Sequence, residues 1–440
     1  MAAKITFFQV DNGDMTLIRL ADTRGTSILV DVHIRLSADD SNDDTADVAS
    51  ALRSRLKYDE DERPFIDVFM LSHPDKDHCS GLQKHFWLGP PEDYPDDHLN
   101  RSEKRIIIRE LWSSPLIFRR RSKNHTLCTD AQAFNKEARR RVKYWRENNN
   151  VSSGNRILIM GEDVNGKTDD LNEILIKAGD TFTRIDGQIS NVFSARLLAP
   201  TLHEDDEELE EELSKNESSI VMKMQILSSA YSNNPMRFLM GGDAEVLIWE
   251  RLWNQYENDS HVLEYDLLLA PHHCSWHSLS YHSWSQKGEK AEVCEAARHA
   301  LGQACSGATI VSSSKQILDD EVDPPCIRAK REYNEILDNV DGWFSCTGDL
   351  KDKTILEFEV ATDGKLIPAV VGGISAATST AVAAAPRAGL SKKYNDWILW
   401  IRGTARFIGL WLLILKDKSN TPSLWETFLH RGSRLTFFSK

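Results

Sequence analysis

The stretch Leu71-Ser72-His73-Pro74-Asp75-Lys76-Asp77-His78-Cys79-Ser80-Gly81 governs how the rest of the chain is read. It closes a short apolar run, Phe65–Leu71, bounded by Pro64 and by Ser72-His73-Pro74, which is the pattern of a buried strand ending in a loop. Four potential metal ligands, His73, Asp75, Asp77 and His78, fall within six residues. A loop at the carboxyl end of a strand turns several side chains onto one point, as a divalent ion requires. A polar surface turn is the plain alternative, and two His and two Asp at alternate and adjacent spacing fit it poorly.

Outward from this loop, the combination of apolar strand and polar loop recurs twice. Phe238-Leu239-Met240 runs into Gly241-Gly242-Asp243, where two glycines leave a carboxylate exposed without crowding from neighbouring side chains. Leu268-Leu269-Ala270 runs into Pro271-His272-His273-Cys274-Ser275. At least one histidine of that pair is expected to ligate, and the sequence does not choose between them. Other expected strands are Ile5–Val10, Thr16–Leu20, Ser27–Val32, Ile106–Leu111, Ile157–Met160, Val192–Leu198, Ser219–Leu227, Thr309–Ser313 and Thr354–Val360. Helical periodicity marks 131–147, Ala244–Trp253, 290–302 and Ile327–Leu337. Two strand-rich halves with helices between them predict a layered α/β architecture.

The motif His73-x-Asp75-x-Asp77-His78 resembles the signature loop of metallo-β-lactamase-fold hydrolases, in the variant where the second His is replaced by Asp. That variant resembles the C-terminal domain of ComEC-type DNA-uptake competence proteins. Further stretches resemble the same family in order: Phe8-Gln9-Val10-Asp11-Asn12-Gly13-Asp14-Met15, the strand Ser27–Asp31, Asn216-Glu217-Ser218-Ser219, Gly241-Gly242-Asp243 and the His272-His273 loop. The resemblance covers roughly residues 4–360 and implies an αββα metallo-β-lactamase sandwich. It also implies a metal site in which Asp77, His78, Asp243 and one of His272 and His273 hold one ion, while His73, Asp75 and a bridging Asp243 hold another. Asp77, His78 and Asp243 are the expected catalytic residues. Three departures stand out. The mid-chain strand ends Leu198-Ala199-Pro200 without the family's extra His, and the nearest one is His203. Cys274 replaces a common Gly, and Val32-His33 stand where Asp-x-Gly is usual.

A site rich in carboxylates is harder than a three-histidine zinc site, so one or two divalent ions, Zn²⁺ or Mn²⁺ with Mg²⁺ possible, are expected. The implied reaction is hydrolysis by a metal-activated hydroxide, in a phosphodiesterase or nuclease acting on DNA. Two alternatives are carried: a phosphodiesterase for a small (cyclic) nucleotide, and a metal-poor regulatory or binding subunit of a multiprotein assembly. The overall charge of −14 would repel nucleic acid, yet residues 101–146 carry 14 Lys/Arg against 4 acids, a local +10. Within them Arg119, Arg120, Arg121, Arg139, Arg140, Arg141 and Lys143 lie near aromatics, a composition suited to phosphate contact and stacking. Pairing with the chain's own acids, such as the run Glu204–Glu212, is the competing expectation.

The 440 residues divide in expectation into a hydrolase domain over 1–362 (basic insertion about 101–150), an Ala/Gly-rich linker over 363–390 and a Trp-rich helical tail over 391–440. The tail contains Trp397–Leu415, of membrane-span length but interrupted by Arg402, Gly403, Arg406 and Gly409. It is expected to dock a protein partner or a second copy of the chain rather than a membrane. Seven scattered cysteines without a Cys-x-x-Cys pair, and an N-terminus that is not a secretory signal, predict a cytoplasmic protein.

Overall fold

Period-two alternation of apolar side chains builds the centre of the molecule. The computed structural model describes residues 2–39, 42–119, 126–148, 151–202, 213, 216–351 and 353–371. Arg120, Arg121, His203, the acidic run 204–212, residues 372–390 and the tail 391–440 lie outside them.

Strands β1 (Lys4–Phe7), β2 (Thr16–Arg19), β3 (Ser27–Val30), β4 (Lys57–Tyr58) and β5 (Pro64–Met70) open the first sheet. It continues with β6 (Phe86–Trp87), β7 (Ile106–Ser113), β8 (Arg156–Met160) and β9 (Leu175–Ile176). The second sheet takes β10 (Thr181–Phe182) and, after the small hairpin β11 (Arg184–Ile185) and β12 (Gln188–Ile189), β13 (Phe193–Ala199), β14 (Val221–Ile226) and β15 (Met236–Met240). It is completed by β16 (Tyr265–Leu269), β17 (Ala304–Ser312) and β18 (Trp343–Cys346). The chain then returns to the first sheet through β19 (Ile355–Val360) and β20 (Leu366–Val371).

The first sheet runs β20-β19-β1-β2-β3-β5-β7-β8-β9, with β4 on β5 and β6 on β7. The second runs β10-β13-β14-β15-β16-β17-β18. Both are mixed. From β3 to β9 along the main path, and from β15 to β18, the strands pair in parallel. Parallel strands bring their carboxyl ends to one edge, where loops converge to form a site.

The two sheets share a core. Met222, Met224 and Ile226 of β14 and Met236, Phe238 and Met240 of β15 join Phe7, Ile18, Leu29 and Phe69 of the first sheet in one buried cluster. Phe7 meets Phe238 edge-on with ring centroids 6.1 Å apart, and Trp112 meets Phe182 at 5.2 Å. The intervening residues Val221, Leu239, Leu268 and Ile310 face a second cluster with Trp249 and Leu252 of the helix Val246–Tyr256, and Tyr333 and Ile336 of the helix Ile327–Asp338. On the first sheet's side, the helix Thr129–Glu147 buries Ala131, Phe134 and Ala138, and Phe134 lies 5.7 Å from Phe69. The fold class is mixed α/β, with helices packed against both sheets.

Several boundaries differ from expectation: β1 ends at Phe7 and not Val10, β17 begins at Ala304 and not Thr309, and two further differences have a visible cause. Residues 366–371 do not belong to a linker: β20 pairs with β19 over its full length, Leu366 opposite Val360 and Val371 opposite Ile355. The Asp363-Gly364 turn makes this hairpin, with Gly364 at φ +83° and the Ala361 N–H donating to the Lys365 carbonyl at 2.8 Å, and an Asp-Gly pair before an apolar run is a hairpin signal. The helix expected over 290–302 spans only Glu295–Leu301, because the Cys294 N–H donates to the Leu279 carbonyl at 2.7 Å and holds the preceding residues out of the helix. All seven cysteines are free. Among the described residues, no helix is long and apolar enough to cross a membrane.

Candidate metal centre

Four loops that leave the carboxyl ends of parallel strands meet at one point. The loop after β5 delivers His73, Asp75, Asp77 and His78; that after β15 delivers Asp243; that after β16 delivers His272 and His273; Asp31 follows β3 directly. The backbone is specialised where they meet. Gly242 has φ +48°, and a Cβ there would stand 2.8 Å from Ser72 Cβ, so only glycine lets Asp243 reach its position. His272, His273 and Cys274 are all left-handed, at φ 49°, 54° and 67°. Such conformations cost a non-glycine residue about 1 kcal/mol or more each, and they persist where surrounding structure imposes them. Cys274 therefore occupies a position that glycine takes without steric cost.

The geometry is centred on Asp243, which is 2% exposed. Its Oδ1 lies 3.1 Å from His78 Nε2 and 3.6 Å from His273 Nε2. His273 Nε2 is in turn 3.2 Å from His78 Nε2 and 3.4 Å from Asp77 Oδ2. The other carboxylate oxygen, Oδ2, lies 3.3 Å from His73 Nε2 and 3.7 Å from His272 Nε2, and Asp75 Oδ2 is 3.7 Å from His73 Nε2. Thus every ligand expected from the sequence is brought to one place, and the two histidines of the pair divide: His273 joins Asp77 and His78, while His272 joins His73 and Asp75.

The Nδ1 atoms point the other way, and those of His78, His273 and His73 are held. His78 Nδ1 pairs with Asp31 Oδ2 at 2.8 Å, and Asp31 also accepts from the Ser72 N–H at 2.7 Å and the Ser72 hydroxyl at 2.5 Å. His273 Nδ1 donates to the Ser313 carbonyl at 3.1 Å, His73 Nδ1 lies 3.2 Å from Ser72 Oγ, and His272 Nδ1 faces Glu245 Oε1 at 3.6 Å. A histidine fixed through Nδ1 presents a bare Nε2 to a metal.

Asp14, His78, Asp243 and His273 form a buried group able to hold a metal ion, their nearest ligand atoms within 4.8 Å of one another. Asp14 is the member that sequence reasoning did not assign as a ligand; it appeared only within the turn Asn12-Gly13-Asp14. Its carboxylate approaches the Nδ1 edges of His78 and His273, at 3.9 and 3.6 Å. Those edges are already engaged by Asp31 and Ser313, so Asp14 supports the histidines while Asp77 sits on their open Nε2 side. Asp31 and Glu245 were likewise missed as supports. Each directly follows or closely trails a motif that was recognised, and a carboxylate at a strand's carboxyl end was the available signal.

The electrostatics match a cation site. Burial opposes the ionisation of Asp243, yet the surrounding imidazoles of His78, His273, His73 and His272 hold it well below the usual carboxylate range. Burial likewise opposes charge on His73 and His273, and the carboxylates nonetheless push them up to about 9 and about 10. Burial prevails at His272, which is lowered. His73 Nε2 and Asp243 Oδ1 in the cluster, and Asp14 Oδ1 behind it against His273 Nδ1, are buried atoms without a hydrogen-bond partner, although such groups are ordinarily paired. The first two are ligand atoms that a cation would satisfy.

The basic segment behaves differently. Arg141 is not a surface cation: it is 1% exposed, donates to Glu137 at 2.7 Å and caps the carbonyls of Ile108 and Arg156 at 2.9 Å each. A long amphipathic side chain inside the helix-to-sheet seam is a structural residue, which corrects its assignment to nucleic-acid contact. Arg119 forks onto Asp163, Arg140 onto Glu137, and Arg146 onto Asp170. Arg139 touches only Asn135 among the described residues, and the Lys143 ammonium stands 3.7 Å from Glu147 on an exposed face.

No protein-family model matches the chain, and no curated protein matches it.

Proposed function

We propose that the chain is a metal-dependent hydrolase of the metallo-β-lactamase fold, a phosphodiesterase or nuclease acting on DNA. The observation that carries this reading is the convergence of His78 Nε2, His273 Nε2 and Asp243 Oδ1, which lie 3.1–3.6 Å from one another, with Asp77 Oδ2 3.4 Å from His273 Nε2. Donors placed tetrahedrally 2.0–2.1 Å from a zinc ion are separated by about 3.3 Å. Two sheets sharing one core, with helices outside each, support the αββα sandwich as the finer description of the fold.

In this reading Asp77, His78, His273 and Asp243 would hold one cation, and His73, Asp75 and His272, together with Asp243, would hold a second. Zn²⁺ and Mn²⁺ suit the mixture of imidazole and carboxylate, and Mg²⁺ is the harder alternative. Divalent cations so placed would activate water at neutral pH and neutralise charge on the oxygens of a phosphodiester. The protein's own residues do the rest. Asp31 and the Ser313 carbonyl fix the His78 and His273 tautomers. Lys76, exposed on the ligand loop, is placed to meet a substrate anion.

A small cyclic-nucleotide substrate is the second reading. It is favoured by one observation: Arg119, Arg140, Arg141 and Arg146 already spend their guanidinium groups within the chain. The test is a Mn²⁺- and Zn²⁺-dependent cleavage assay on plasmid, single-stranded DNA, a cyclic dinucleotide and bis-p-nitrophenyl phosphate. Wild type should cleave while Asp77→Ala and His78→Ala should not. Equal cleavage by all three proteins would remove the hydrolase reading.

A further inference from the structure

A cavity of about 960 Å³ opens between the helix Thr129–Glu147, the end of β7, strand β8 and the segment 163–171. None of its lining residues belongs to the candidate metal centre. Its size lies at the upper end of pockets that take small molecules. Its chemistry is divided. Ile157 and Ile159 of β8, Val142 of the helix and Phe118 supply an apolar wall, while Arg119, Arg139, Lys143, Arg146 and Lys167 bring five cations to the same space.

Two carboxylates, Asp163 and Asp170, also line it, and each is already taken. Arg119 forks onto Asp163 at 2.5 Å through both contacts, and Arg146 onto Asp170 at 2.6 and 2.9 Å. Bidentate pairs of this kind fix their arginines as structural walls. Arg139 and Lys167 face the cavity with no ion-pair partner among the described residues, and Lys143 has only the exposed Glu147 at 3.7 Å. Ser113, Ser114 and Thr168 add hydroxyls to the rim. An apolar wall opposite uncompensated cations is complementary to a flat hydrophobic group joined to an anion. A neutral apolar ligand would leave those cations without a counter-charge, and a bare phosphate would leave the wall wet.

We propose that this cavity binds a free nucleotide, its base against Phe118, Val142 and the β8 isoleucines and its phosphates on Arg139, Lys143 and Lys167. The assignment goes beyond the hydrolase reading, and it requires no metal, so it stands or falls separately. Arg139 and Lys143 are exposed on a helix whose buried side is Ala131, Phe134, Glu137, Ala138 and Arg141, so these two can be changed without unfolding it, whereas Val142 packs against the core.

The experiment is isothermal titration calorimetry of the full chain in excess chelator. The probes are AMP, ATP and GMP, inorganic phosphate, and a ten-nucleotide single strand. Arg139→Glu/Lys143→Glu and the cavity-filling Val142→Trp are compared with wild type, and Asp77→Ala serves as the control for the metal centre. The expected result is saturable binding of at least one nucleotide, weakened about tenfold or more by either cavity variant and unaltered by Asp77→Ala, with inorganic phosphate far weaker. Circular dichroism establishes that the variants are folded, and if Val142→Trp is not, the charge-reversed variant decides alone. No nucleotide binding at millimolar concentration, equal binding by the folded variants, or phosphate binding as tightly as the nucleotides would each overturn the proposal. A decanucleotide that binds more tightly than any mononucleotide and loses affinity in the same variants would overturn the assignment to a free nucleotide.

Discussion

Asp243 and Arg141 are both charged side chains sealed inside the protein, and their surroundings are opposites. Around Arg141 the accounting closes: one carboxylate from Glu137 and three backbone carbonyls, those of Ile108, Arg156 and Arg109, accept from a single guanidinium. Around Asp243 it stays open. Four imidazoles aim Nε2 atoms at one carboxylate, their Nδ1 atoms are held or faced from behind, and buried donor atoms are left over. Burial of charge alone is therefore a poor guide to function in this chain. A buried group whose partners exhaust it is architecture; a cluster whose partners converge with polar atoms left unpaired is poised for a ligand.

The sharpest way to break this contrast is to remove each centre in turn. Asp243→Ala, which deletes the oxygen pair shared by both halves of the cluster, should lower metal-dependent phosphodiester cleavage by about a thousandfold. That loss should be seen in a variant shown by circular dichroism to be folded at the assay temperature, with bis-p-nitrophenyl phosphate turnover as the readout. Arg141→Ala should do the reverse. It leaves Glu137 and three carbonyls short of a donor and should destabilise the fold by about 3–5 kcal/mol, read by urea denaturation. Arg139→Ala on the same helix is the control and should stay within about 0.5 kcal/mol.

Glu110 offers a third test of satisfied against unsatisfied burial. It lies in β7 with one hydrogen bond, from Trp112 Nε1 at 2.7 Å, and burial pushes its carboxyl up to about 7. Because the folded state holds this proton more tightly than the unfolded chain, stability from this group is intact below about pH 4.5 and declines as pH rises toward 7. The total decline is about 3 kcal/mol, since each pKa unit corresponds to about 1.4 kcal/mol. Glu110→Gln should flatten that part of the stability profile measured between pH 4.5 and 8; an unchanged slope would assign the dependence elsewhere. The smallest effect is expected behind the metal centre. Asp31→Asn weakens the acceptor of His78 Nδ1 and should cost about 10–100-fold in metal affinity, measured by competition with a chelating dye.

Much of the site was legible in the sequence because ligands cluster in short loops after apolar strands. His73 to His78, Asp243 and the His272-His273 pair could be named, since each loop advertises itself locally. Which histidine of the pair faces which partner was not legible. That depends on three successive left-handed residues, His272 to Cys274, whose φ values no residue type there announces. Asp14 and Asp31 were visible as residues but not as supports, because their roles come from β1 and β3 lying in the same sheet as β5. The error over Arg141 has the same origin. Three arginines in a row, Arg139 to Arg141, look alike in sequence, and the helix rotates them onto different faces, so that one enters the seam with β7 and β8 while Arg139 stays outside.

Elemental analysis of the purified full chain after dialysis against Zn²⁺ or Mn²⁺, with Asp243→Ala beside it, addresses the central claim most directly. The geometry predicts one to two equivalents retained by the wild type and a marked loss in the variant. A folded wild-type protein that retains neither ion, or a variant that retains as much as the wild type, would contradict it.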